Sequence, residues 1–167
     1  MVSYGSGFRK NFIDCGLKNT ERFASIKYKE KKLHLDWGCE LVILASSILF
    51  TVLILIVILF QAALAAGMPW GEAAMGGKFP GKYPTSMRFS CLLQITILIF
   101  IGLVVMSRAG VLLPEWSSFA DTAIWFIVGY LVLGTILNLI TRSVWERRIW
   151  APVTLVLLIT SLIIALS

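Results

Sequence analysis

Charge is scarce in this chain: 14% of its 167 residues are charged and 58% are apolar, whereas soluble domains carry roughly a quarter charged residues. There is too little polar sequence to cover a soluble globule. Histidine is reduced to His34, and no group of His, Cys, Asp and Glu has the spacing of a metal site, which argues against zinc, iron or haem. No cofactor is expected. The three cysteines form no redox pair, because Cys15 and Cys39 precede the first apolar run and Cys91 follows it. Cys91 reads as a small apolar filler, and a Cys15–Cys39 bridge would be out of place in a reducing cytoplasm. Gly76-Gly77-Lys78 lacks the strand, spacing and hydroxyl of a phosphate-binding loop. No nucleophile stands with a base, so no catalytic residue is assigned.

What the chain has instead is long apolar runs. Four are read, at about 41–66, 89–113, 119–140 and 150–166. At ~1.5 Å per residue the first exceeds a ~30 Å hydrocarbon core, and the last, with about 17 residues, is near the lower limit. Leu53-Ile54-Leu55-Ile56-Val57-Ile58-Leu59-Phe60 has none of the polar alternation of a barrel strand. Backbone groups in hydrocarbon must pair within their own segment, which makes these runs helices. The expected fold is an all-α integral membrane protein, a four-transmembrane-helix bundle over 41–167, preceded by a basic polar segment, 1–40. That segment is too polar, and the run after it too long, for a cleavable signal peptide. No span contains a clean GxxxG pair, so oligomeric state is left open.

Four spans put both termini and the loop between spans two and three on one side, and loops one and three on the other. Arg9, Lys10, Lys18, Arg22, Lys27, Lys29, Lys31 and Lys32 lie in the first forty residues and supply much of a formal net charge of +6. Close to a span, Lys27, Lys29, Lys31 and Lys32 suit anionic lipid headgroups better than nucleic acid, and they favour cytoplasmic termini in a multi-pass protein of the cell membrane. The six tryptophans are expected to anchor spans at headgroup level.

The feature that invites chemistry is a polar layer. Gln61, Gln94 and Asn138 come from three spans at similar depths below the loop-one and loop-three face. Thr135, Asn138 and Arg142 follow one helical stripe, and Arg142 can pair with Glu146 four residues on. Glu72 is the only acid of loop one, whose glycines and prolines allow a tight re-entrant turn; its candidate partners are Arg88, Arg142, Arg147 and Arg148. Gln61, Glu72, Gln94, Asn138, Arg142 and Glu146 together define a candidate polar vestibule. The plainer reading is that the amides are interhelical glue, worth roughly 0.6–2 kcal/mol each, although ionisable and polar groups within a membrane also mark pathways.

Gly67-Met-Pro-Trp-Gly-Glu-Ala-Ala-Met-Gly-Gly, Ser107-Arg-Ala-Gly110 and Asn138 through Ser143-Val-Trp-Glu-Arg-Arg with Pro152 resemble a pattern of small, uncharacterised four-span bacterial membrane proteins. The resemblance covers roughly Leu41 to the end; it implies four spans and brings no substrate, cofactor or catalytic residue. Three functions are weighed. A non-catalytic accessory or interaction protein, working by contact with a membrane-protein partner or a second copy, demands least of the sequence. A small-solute transporter or channel-like oligomer would use the polar vestibule, its rim at Arg142, Arg147 and Arg148 suggesting an anionic solute. A membrane enzyme acting on lipid or isoprenoid, with Glu72 as acid or base, has the poorest inventory.

Overall fold

The computed structural model describes the backbone of residues 6–167 and the side chains of Lys27, Lys29 and residues 37–167. The chain divides into two compact units, Met1–Leu41 and Val42–Ser167. In the first unit the described backbone is helical, and Lys27 and Lys29 are exposed. The side chains of Lys31, Lys32, His34 and Cys15 lie outside the described residues.

Four α-helices are present: α1 (Ser6–Ala66), α2 (Thr85–Arg108), α3 (Ser117–Ile140) and α4 (Val144–Leu166). The described residues contain no strand. Among the described residues four segments are long and apolar enough to cross a membrane, Trp37–Ala66, Thr85–Arg108, Pro114–Ile140 and Val144–Leu166. The protein is thus an all-α, multi-pass membrane protein.

Local chemistry sets the ends of the helices. After α1, the Gly67 N–H reaches the Leu64 carbonyl and the Met68 N–H the Ala63 carbonyl, both at 3.0 Å. After α2, the Gly110 N–H reaches Ser107 and the Val111 N–H reaches Met106, again at 3.0 Å. Both are Schellman closures around a left-handed residue, with Gly67 at φ 94° and Gly110 at φ 71°. Gly110 therefore stops the second span at Arg108, short of the Leu113 that its apolar run reaches. The Ser107 hydroxyl also donates to the Leu113 carbonyl at 3.0 Å, which fixes the turn into α3.

The fourth helix is longer than its apolar run. Ser143 accepts the Glu146 N–H at 3.2 Å, a serine cap three residues ahead of a glutamate, and helix begins at Val144 instead of Trp150. Pro152 lies inside α4 and leaves the Arg148 carbonyl without its helical donor, near the polar end where that cost is lowest.

Within the second unit, one core cluster joins Phe50 and Ile54 of α1, Leu98, Val104 and Val105 of α2, Ile124 and Ile127 of α3, and Leu157 and Ile164 of α4. Thr51 Oγ1 meets Met106 Sδ at 3.4 Å across α1 and α2. A smaller cluster of Leu64, Tyr83 and Cys91 lies beneath loop one. The outward surface is also apolar: Phe126 is 76% exposed, Ile140 70%, Leu59 68% and Phe89 67%. Such faces are suited to acyl chains, which need no polar exterior.

Candidate functional site

Between the two core clusters lies a cavity of about 430 Å³, walled by all four helices and by loop one. Its floor is Val57, Leu98, Leu131 and Leu157; its polar groups include Gln61, Gln94, Asn138 and Glu146. Gln94 lies nine residues into α2 and Tyr130 ten residues before the end of α3, which puts both about 14 Å below the helix ends. Their side chains meet there, Gln94 Nε2 donating to the Tyr130 hydroxyl oxygen at 2.7 Å. Ser90, Tyr130 and Leu137 line the cavity and are exposed.

The three amides approach a common level but do not pair with one another. Asn138 Nδ2 turns back to the Gly134 carbonyl of its own helix at 2.9 Å. Gln94 is taken by Tyr130, and Gln61 is half-buried at the wall. Facing Asn138 is open volume: a Cβ added at Gly134, another wall residue, would meet nothing within 4 Å.

Loop one is the roof. It folds as two short 3₁₀ turns, Gly71–Ala73 and Met75–Gly77, held down on the α3–α4 turn and the start of α4. The Ser143 hydroxyl donates to the Glu72 carbonyl at 2.7 Å, and Trp150 Nε1 donates to the Ala73 carbonyl at 2.7 Å. The Glu146 carboxylate accepts both the Gly76 N–H and the Thr141 hydroxyl through Oε2, each at 2.6 Å. Within the loop the Gly71 N–H donates to the Gly81 carbonyl at 3.1 Å. A side chain at Gly71 would run into the Phe79 and Gly81 carbonyls, so glycine is required there for close approach.

Glu72 and Arg142 do not line the cavity. Both side chains are exposed, and Glu72 enters the site only through its backbone oxygen. The expected Arg142–Glu146 pair is not formed. The four-residue spacing assumed one continuous helix, but α3 ends at Ile140 and the chain is extended at Thr141 and Ser143 before α4 starts. Among the described residues the one ion pair is Arg108–Asp121, 3.2 Å, which links the end of α2 to the start of α3. Arg88, a candidate partner of Glu72, instead donates from Nε to the Tyr83 carbonyl at 3.1 Å.

Four aromatic rings complete the wall: Phe60, Tyr83, Tyr130 and Trp150. Trp150 is not an interfacial anchor; it is 9% exposed, and its ring centroid is 4.5 Å from that of Phe60. Trp37, Trp125 and Trp145 are 60%, 51% and 61% exposed. Tyr83 is 2% exposed, and its buried hydroxyl has no hydrogen-bond partner. Burial raises its phenol to about 12, with Cys91 and the Glu146 carboxylate adding to the rise. Sequence alone did not single out these rings, because an aromatic near a span end has the same signature whether it anchors a helix or faces inward.

No group of three or more metal-ligating side chains occurs among the described residues. Polar groups that touch one open volume, with apolar walls below, can bind a small molecule by hydrogen bonds at one end and by contact at the other. Comparison with protein families, with characterised proteins and with solved structures gives no match.

Proposed function

We propose that this protein handles a small solute within the membrane, binding it in the cavity beneath loop one without covalent chemistry, as a carrier or as one unit of a transport pathway. The observation that carries this reading is that Gln61, Gln94 and Asn138 face a volume of about 430 Å³ instead of hydrogen-bonding to one another. Gln94 bridges α2 to α3 through Tyr130, but Gln61 and Asn138 make no bond to another helix, as glue would require, and both line the open volume. The inventory for catalysis stays poor, because Glu72 lies off the cavity wall and no group of metal-ligating side chains occurs among the described residues. We place both termini in the cytoplasm, which puts the loop-one roof on the opposite side of the cell membrane.

Cys91 provides the test, since it is buried and lines the cavity. In full-length protein carrying Cys15→Ser and Cys39→Ser, in lipid nanodiscs, uncharged methyl methanethiosulfonate should label Cys91 without unfolding, and Gly134→Leu should slow labelling by filling the volume. A Cys91 that reacts only after denaturation would mean a sealed void, and a role by contact with protein partners would then account better for the chain.

A further inference from the structure

The face around the cavity is basic, carrying Lys78, Lys82, Arg88, Arg142, Arg147 and Arg148, yet none of these six residues lines the cavity. The charged side chain in the wall is Glu146, an acid. Its Oε2 is held by two uncharged donors, the Gly76 N–H and the Thr141 hydroxyl, and no cation among the described residues pairs with it. Phe60, Tyr83 and Trp150 line the same cavity, and aromatic rings attract cations through the negative potential of their faces. Below them the wall becomes aliphatic, at Val57, Leu98 and Leu157. A carboxylate without a counter-ion, aromatic rings in the same cavity and an apolar floor are complementary to an organic cation with an apolar body. An anion would meet the Glu146 charge at close range and be repelled by it.

We infer that the cavity selects lipophilic amines or quaternary ammonium compounds, with Glu146 as the anchor for the cationic head and the Phe60, Tyr83 and Trp150 rings as its cage. This reverses the anionic solute suggested by the arginine rim, whose charges are outside the cavity. The inference rests on the proposed solute-binding role. It adds the sign of the charge, which can fail while that role survives.

The experiment uses the same Cys15→Ser, Cys39→Ser protein in nanodiscs and three thiol reagents: 2-(trimethylammonium)ethyl, methyl and 2-sulfonatoethyl methanethiosulfonate. Rates at Cys91 are divided by each reagent's rate with a free thiol in solution. The cationic reagent should lead the sulfonate by about tenfold or more, as one nearby carboxylate of fixed position predicts. Glu146→Gln keeps a carbonyl acceptor for the Gly76 N–H and Thr141 and should bring the two rates within about threefold of each other. The surrounding basic face would by itself favour the sulfonate, so a cationic preference has to come from inside the cavity. Equal rates for all three, a sulfonate preference, or a cationic preference that survives Glu146→Gln would overturn the inference while leaving an accessible cavity. Failure of the uncharged reagent as well would overturn the solute-binding role itself.

Discussion

At the scale of single residues, the amides that look equivalent in the sequence have different partners and should respond differently to substitution. Asn138 bonds to the backbone of its own helix. Asn138→Leu should therefore change stability by no more than about 0.5 kcal/mol, as for residues without a cross-helix partner. Gln94 bridges α2 to α3 through Tyr130, and Gln94→Leu should cost about 0.6–1.7 kcal/mol, the range of interhelical hydrogen bonds in membranes. Reversible unfolding of the two variants in mixed micelles measures both; equal losses would show that the Gln94–Tyr130 bond contributes nothing. Tyr83 adds a pH dependence of known sign. Its phenol titrates near 10 when unfolded and is pushed up to about 12 by burial in the fold. Any stability it supplies is full below pH 10 and declines as pH rises towards 12, because over that interval the unfolded state loses a proton that the folded state keeps. Absorbance at 295 nm should show a tyrosine step near pH 12, and Tyr83→Phe should remove it.

At the scale of elements, loop one is held by bonds from residues far along the chain, and these bonds decide whether the roof stays down. Ser143 contributes twice, capping α4 and donating to the Glu72 carbonyl. Ser143→Ala should cost about 1 kcal/mol through the cap alone. Trp150→Phe leaves the Ala73 carbonyl without its donor, for about 1–3 kcal/mol. Both variants should be cut faster by trypsin at the exposed Lys78 and Lys82, with cleavage elsewhere unchanged; cutting at the parental rate would show that the loop holds without them. The existence of the helices was legible in the sequence because an apolar run without alternation leaves the backbone one way to satisfy itself in lipid. Their ends were less so. An apolar count ran α2 on to Leu113 and began α4 at Trp150, whereas Gly110 and Ser143 decide those boundaries through backbone bonds. The level of Gln61, Gln94 and Asn138 could be counted from the helix ends, but side-chain direction could not. The bonds from Trp150 to Ala73 and from Glu146 to Gly76 join residues more than sixty positions apart, and no local pattern encodes them.

At the scale of the whole molecule, the two units oppose each other in the charge that orients a membrane protein. The Val42–Ser167 unit has six basic residues beside loops one and three, Lys78, Lys82, Arg88, Arg142, Arg147 and Arg148, against Arg108 alone on the other side. Taken by itself, this unit would place loops one and three in the cytoplasm. The first forty residues add eight basic residues to the Arg108 side and reverse the balance. Of these, Lys27, Lys29, Lys31 and Lys32 lie closest to the first span, where charge has most influence on insertion. In the orientation we propose, the cytoplasmic placement of the termini depends on four lysines. Replacing all four by glutamine leaves five basic residues on the terminal side against six on the other, and should yield a mixed or inverted population. The readout is trypsin added outside intact cells: the parent chain should be cut at loop one and keep its N-terminal segment, whereas in the variant a fraction should lose that segment and keep loop one. Retention of the parental pattern by the variant would mean that orientation is set by the remaining basic residues or by the apolar runs themselves.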